Sequence, residues 1–252
     1  MLELERTGAV AVLSIDRPDR RNAMDDRLIG RMMEMLRELN SDPGVRAIVL
    51  NGAAPGFCAG SDLKFIGRLP LDATRRFEAD TGIVARSLGL ADKPVVAAVE
   101  GFAIGGGFIL AVSCDLVVTS AVARWHLPEV PIGWLTPWGL QALIARVGPV
   151  RAKALCFGIA PFDGVEARRL RIADHVVPAG EVLAEALRRA QALAQLPTQA
   201  AIAGKQFFAP AIMAYAEVRD SLANRLFAEN CRHPTAMATL TRYGLAGDAP
   251  TE

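Results

Sequence analysis

The stretch of this 252-residue chain with the clearest chemical potential is Val95-Val96-Ala97-Ala98-Val99-Glu100-Gly101-Phe102-Ala103-Ile104-Gly105-Gly106-Gly107-Phe108. Val95 to Val99 is an apolar run long enough for a buried strand. Three consecutive glycines, Gly105 to Gly107, then lead into Phe108-Ile109-Leu110-Ala111-Val112, which reads as a buried helix. Glycines let the backbone approach a ligand with no side chain between them. A helix start adds unpaired N–H donors and a partial positive charge. Together they form a seat for a negatively charged oxygen, either a phosphate or the oxyanion of a reacting carbonyl. The spelling argues against two familiar phosphate loops. No G-x-x-x-x-G-K-[ST] occurs, and Gly105, Gly107 and Leu110 do not complete G-x-G-x-x-G. On spacing alone, a tight strand-to-helix turn accounts for the same glycines equally well.

Other chemistry-bearing residues are sparse. Cys58, Cys114, Cys156 and Cys231 are far apart with no C-x-x-C, so neither a zinc site nor a disulfide framework is expected. Net charge is +1, which gives no reason to expect nucleic acid or an anionic membrane as partner; Arg168-Arg169 and Arg188-Arg189 read as solvated helix faces. Met1-Leu2-Glu3 opens no basic-then-apolar leader, and no apolar stretch reaches a membrane span, so a soluble, cytoplasmic protein is expected. A hydrophobic content of 52% allows one large core.

The elements that must position the glycine turn follow from periodicity. Ala9 to Ile15 reads as a strand and Met24 to Leu39 as an amphipathic helix, with Leu28, Met32, Met35, Leu36 and Leu39 on one face. Arg46 to Leu50 is a second strand, followed by a loop from Asn51 to Gly60, and Thr74 to Leu90 is a helix. After the glycine turn come a strand over Asp115 to Thr119, an extended Trp125 to Pro131, and helices over Trp138 to Arg146 and Arg151 to Phe157. Asp163 and Glu166 fit a capping box, and His175 to Pro178 is the last strand. Glu181 to Leu196, Thr198 to Pro210, Ile212 to Glu229 and Ala236 to Tyr243 are helical. The class is α/β: a core over residues 1–192, then a helical tail over 193–252 whose apolar face must pack on its own domain or on another subunit.

Three segments in register carry a family resemblance: Gly56-Phe57-Cys58-Ala59-Gly60-Ser61-Asp62-Leu63-Lys64, then Lys93 through Gly107, then Leu127-Pro128-Glu129-Val130-Pro131-Ile132-Gly133. Arg21-Asn22-Ala23-Met24 and Asp174-His175-Val176-Val177-Pro178 add to it. The chain resembles the crotonase, or enoyl-CoA hydratase/isomerase, family from about Ala9 to His233. The resemblance implies a spiral of ββα turns with a C-terminal helical trimerisation region, assembled as a homotrimer or a dimer of trimers. It implies an acyl-CoA thioester as substrate and no metal or redox cofactor. It assigns the oxyanion-binding N–H groups to Ser61 and Gly106, and a CoA-lining role to Ser61, Asp62, Leu63 and Lys64. Asp62 alternatively serves as a local turn cap.

An enolate needs an acid or base beside it. Of the family's two glutamate positions, this sequence keeps Glu129 and has Ile109 at the other. Glu129 is therefore the expected proton-transfer group. Hydration requires a held water, which isoleucine cannot hydrogen-bond, so moving a double bond from a 3-enoyl to a 2-enoyl thioester is favoured over fast hydration. A binding protein without turnover, and a decarboxylase or C–C lyase using the same enolate, are the alternatives. His126 is a candidate second acid–base group, but in an extended segment its parity points it away from Glu129. Ile109 and Trp134 are expected at the acyl group; Trp134 and Trp138 either close that pocket or pack in the core or an interface.

Overall fold

The computed structural model describes residues 1–245. The chain runs β1 (Leu2–Thr7), β2 (Val10–Ile15), α1 (Asp26–Ser41), β3 (Ala47–Gly52), α2 (Leu63–Ile66), α3 (Leu71–Leu90), β4 (Val95–Val99), β5 (Phe102–Ile104), α4 (Gly106–Val112), β6 (Leu116–Ser120) and β7 (Arg124–His126). It continues through α5 (Leu140–Val147), α6 (Pro149–Cys156), α7 (Gly164–Arg169), β8 (His175–Val177), α8 (Val182–Ala194), α9 (Thr198–Met213), α10 (Ala216–Asn230) and α11 (Pro234–Leu245).

The main sheet has the order β1-β2-β3-β4-β6-β8. β1 and β2 pair antiparallel; the other pairs are parallel. A smaller parallel sheet joins β5 to β7, and single bridges from Cys58 to Ala103, Trp125 to Phe162 and Met24 to Ser61 extend that second layer. Successive turns of the chain thus place a strand in the main sheet, a short step in the second layer and a helix outside. This is the spiral of ββα turns that the resemblance implies.

β4 is apolar throughout because both of its faces are covered. Val95, Ala97 and Val99 face the core shared with α1, α3 and α4, and Val96 and Ala98 face the other way. On that second face Val182, Ala186, Ala190 and Ala194 of α8 lie against the sheet. The small side chains of α8 let it approach closely, so this helix belongs with the α/β part. α9, α10 and α11 then fold back over α2, α3 and α5 of their own chain. α9 buries none of its residues, and Phe207 and Phe208 are exposed. Residues 246–252 of the expected tail lie outside the described residues. No helix among the described residues is long and apolar enough to cross a membrane.

Several boundaries differ from the sequence pattern for local reasons. α1 starts at Asp26 rather than Met24, because Asp25 caps it by accepting from the Leu28 N–H (2.9 Å) and Met24 is engaged in the bridge to Ser61. The extended segment expected from Trp125 to Pro131 stops at His126 and turns. There the Ile132 amide donates to Pro128 and the Gly133 and Trp134 amides donate to the Glu129 carbonyl. The helix expected from Ile212 starts at Ala216, since Tyr215 takes a left-handed conformation (φ +64°) between α9 and α10. β1, α2 and β5 were not legible in the pattern: β1 is an edge strand with almost no burial, and the other two span only a few residues.

Asn22 ties down the loop before Ser61. It is fully buried at φ +57°, a region that asparagine tolerates better than most residues. Its side-chain amide donates to the carbonyls of Ala53 (2.7 Å) and Gly56 (2.6 Å), and its carbonyl oxygen accepts from the Arg17 N–H (2.8 Å). Asn22→Ala would strand the buried Gly56 carbonyl and the partly buried Ala53 carbonyl and strain the left-handed backbone, a cost of about 2–4 kcal/mol. Urea denaturation should show that loss.

Candidate active site

The Ser61 segment and the glycine turn meet at one end of the second layer. Gly60 accepts from the Met24 amide (2.8 Å), and the Asp62 amide donates to Met24 (2.7 Å). In an extended segment the residue between two such contacts turns its own amide to the opposite side. On the other strand edge, Ile104 donates to the Cys58 carbonyl (3.0 Å), and the Gly105 amide donates to the His126 carbonyl (2.9 Å). The approach is so close that a Cβ at Gly60 would lie 2.9 Å from the Gly106 nitrogen. Gly105, at φ +56°, leads into α4, and a Cβ there would lie 2.8 Å from Oε1 of Glu129.

Ser61, Leu63, Gly106, Glu129 and Trp134 border one cavity of about 60 Å³, with Ile66, Glu78, Ile132, Thr136 and Trp138 among its other walls. That volume suits a few waters or a small acyl group. Asp62, Lys64 and Ile109 do not border it. Asp62 caps α2, accepting from the amides of Lys64 (3.0 Å) and Phe65 (3.3 Å), and faces Arg17 at 3.4 Å. The Lys64 side chain is exposed. Ile109 is fully buried and packs on Gly139, where any Cβ would strike its Cγ2. His126 is half-buried and its Nε2 pairs with the Gly158 carbonyl at 2.9 Å, outside the cavity.

Glu129 is 7% exposed, and its Oε2 is buried with no hydrogen-bond partner among the described residues; the same holds for the Thr136 hydroxyl. Burial pushes the Glu129 carboxyl up to about 8, reinforced by the charge of Glu78 and opposed by its own backbone amide and, more weakly, by the nearby Thr136 hydroxyl, which lies outside hydrogen-bond geometry.

Glu78 is the site residue that sequence reasoning missed. It is 2% exposed on α3, and its Oε2 accepts from the Trp138 indole N–H at 2.7 Å. Burial pushes it up to about 7, against the favourable effects of Trp138 and the Ser61 side chain on its charged form. A signal was present: Glu78 shares the face of the expected Thr74-to-Leu90 helix that carries Thr74, Thr81, Ala85 and Leu88, all buried. A carboxylate on an apolar helix face needs a partner or a task.

The parallel spiral, with its second layer and its C-terminal helices folded back on it, is the architecture of the crotonase fold. Residues 5–243 match the family model described as enoyl-CoA hydratase/isomerase. The chain is 38% identical over 183 residues to a short-chain-enoyl-CoA hydratase of Clostridium acetobutylicum, covering 71% of this chain and 70% of that protein. It is 36% identical over 185 residues to a crotonyl-CoA hydratase of Syntrophomonas wolfei, covering 72% and 71%. The crystal structure of an enoyl-CoA hydratase/isomerase from Mycobacterium paratuberculosis superposes with a TM-score of 0.88 over 96% of this chain and 97% of that one, at 24% identity, and shows the same fold. The protein belongs to the enoyl-CoA hydratase/isomerase family of acyl-CoA enzymes.

Burial of Glu129 has a consequence for stability. The unfolded chain loses the proton near the ordinary value of 4.5, whereas the native protein keeps it until about pH 8. The native state then binds more protons than the unfolded one, so stability declines as pH rises through that window. Glu129→Gln, which carries no charge, should melt above wild type at about pH 9 by a margin on the order of a few kcal/mol. Thermal melts across pH should show that margin vanishing in acid, below the unfolded-state value.

Proposed function

We propose that the enzyme moves a proton at the carbon beside the thioester carbonyl of an acyl-CoA, through an enolate held by the N–H groups of Ser61 and Gly106. Glu129 carries the proton. The observation that supports this most directly is the buried, unpartnered Oε2 of Glu129 beside the glycine turn in the same cavity as Ser61 and Gly106. Removing a proton next to a thioester puts negative charge on the carbonyl oxygen. Fixed amide donors stabilise that charge, with one such donor typically contributing about 3 kcal/mol. A carboxyl group poised near neutrality can both accept and return the proton.

The favoured reaction is the shift of a 3-enoyl thioester to its 2-enoyl isomer. One carboxylate suffices to carry a proton between two carbons of the same substrate, and Ile109 leaves the position after the glycine turn without a polar group. No metal or redox cofactor takes part. The small cavity, walled by Trp134, Trp138, Ile66 and Ile132, favours a short or flat acyl chain. The exposed Phe207 and Phe208 of α9 support assembly of the tail into a homotrimer or a dimer of trimers. A binding protein without turnover is the weaker reading. Burial of an uncompensated carboxyl group costs stability, and simple binding gives no use for it.

The test is mass-spectrometric detection of deuterium at C2 of a short 3-enoyl-CoA incubated with enzyme in deuterated water. Glu129→Gln should slow that exchange by about 10²–10⁴-fold. Full turnover by the variant would sink the assignment.

A further inference from the structure

Two carboxyl groups, from elements far apart in sequence, face the same cavity. Glu129 comes from the turn after β7, and Glu78 is the residue that α3 contributes to the cavity wall. Glu129 senses the charge of Glu78. Glu78 is seated by the Trp138 indole, which engages one of its two oxygens. Its other influence is the side chain of Ser61, whose backbone N–H is the proposed oxyanion donor. If Glu78 served only to satisfy the indole, a neutral acceptor would do so without the cost of burying a charge.

We propose that Glu78 is a second acid–base residue of the site, reaching from α3 to take the place left apolar by Ile109, and that it activates a water for addition to a short 2-enoyl-CoA. The inference rests on the enolate reading above and extends it from isomerisation to hydration. The Glu78 carboxylate takes a proton from water as the water oxygen bonds to C3. The C2=C3 pair moves to form the enolate, whose charge rests on the thioester oxygen at the Ser61 and Gly106 amides. The protonated Glu129 gives its proton to C2 as the carbonyl re-forms. One water has been added, Glu78 has gained a proton and Glu129 has lost one. Solvent water carries the proton back between them before the next turnover.

The protonation states agree with these roles. With Glu78 near 7 and Glu129 near 8, the form in which Glu78 is charged and Glu129 neutral is the one favoured between those values. Two buried thiols sense these carboxyls, Cys231 sensing Glu78 and Cys156 sensing Glu129, and burial raises both; of the charged groups close by, Asp62 caps α2 and faces Arg17, and Arg86 pairs with Asp220 beside Trp138. The groups acting on Glu78 are Trp138 and Ser61, and those acting on Glu129 are Glu78 and Thr136, so no cation in contact sets either charge.

The experiment compares wild type with Glu78→Gln, which keeps an acceptor for Trp138. Two reactions are followed: hydration of 2-butenoyl-CoA, by loss of enoyl absorbance, and C2 deuterium exchange on a short 3-enoyl-CoA. Wild type should hydrate with a bell-shaped kcat/KM profile whose limbs fall near pH 7 and pH 8. Glu78→Gln should lower kcat for hydration at least about 100-fold, reduce the ratio of hydration to exchange at least about tenfold, and erase the acid limb. Hydration by Glu78→Gln at the wild-type rate with the acid limb intact overturns the proposal. So does a wild-type enzyme that exchanges C2 protons but does not hydrate, while leaving the enolate reading in place. Absence of exchange in wild type defeats both. The wild-type profile decides even if the variant fails to fold, because a missing acid limb overturns the role of Glu78.

Discussion

The site depends on how closely two stretches of main chain approach each other. Cys58 to Ser61 and Gly105 to Gly107 run so near that a side chain at Gly60, Gly106 or Gly107 cannot fit between them. A Cβ at Gly60 would press on the Gly106 nitrogen, one at Gly107 would run into the Cys58 carbonyl, and one at Gly106 would sit 2.8 Å from the Trp138 ring. Amides brought this close can converge on a single ligand atom, which residues held apart by side chains cannot do. Asn22 fixes one of the two stretches through its bonds to Ala53 and Gly56, and the bond from Gly105 to His126 fixes the other. The second layer of the spiral exists in this region to carry those few residues into register.

Electrostatics adds a second constraint. The cavity holds two carboxyl groups with no cation among the influences on either, so burial dominates both. In water each would be ionised at neutral pH. Here both titrate near neutrality, and their separation comes from differing partners: Glu78 has an indole donor, while Glu129 has an unpartnered oxygen and a like charge across the cavity. Groups in that condition are poor contributors to stability and well suited to proton transfer. The four cysteines show the contrast. They are also buried, Cys58 and Cys114 are pushed up to about 12, and as neutral thiols they are inert packing.

The sequence pattern reveals most of the fold because the chain alternates strands and helices with clear periods. β4 spans Val95 to Val99 as its apolar run indicates, and α1 carries the five expected apolar residues on its buried face. The glycine turn and the Ser61 loop were legible because close backbone approach leaves a signature in residue type. Glu78 was not. A glutamate on a helix is ordinary, and its importance arises only when α3 packs so that this one position reaches a cavity built by residues far away in the chain. Trp138 likewise shows its part only with Glu78 beside it. Asp62 sits in the motif beside Ser61, yet its carboxylate is spent on the start of α2 and on Arg17. Motif membership alone does not tell which way a side chain turns.

The tail has a role inside its own chain that composition does not reveal. Asp220 of α10 pairs with Arg86 of α3 and also accepts from the Gly139 amide at 2.8 Å. That one carboxylate therefore ties the helix bearing Glu78 to the segment bearing Trp138. Asn230 accepts from the Leu135 amide (3.1 Å), and the Thr239 hydroxyl donates to the Ile132 carbonyl (2.9 Å). The wall from Ile132 to Gly139 is thus held from outside by α10 and the following helix. α11 also lies so close to α2 that a Cβ at Gly67 would meet the Leu240 carbonyl at 2.6 Å. A loop wall of this kind has few backbone bonds of its own, and a position within hydrogen-bond reach of a carboxylate demands more rigidity than a loop supplies. The helices beyond α8 provide it, so the geometry between Glu78 and Trp138 is set by residues more than eighty positions away in the chain.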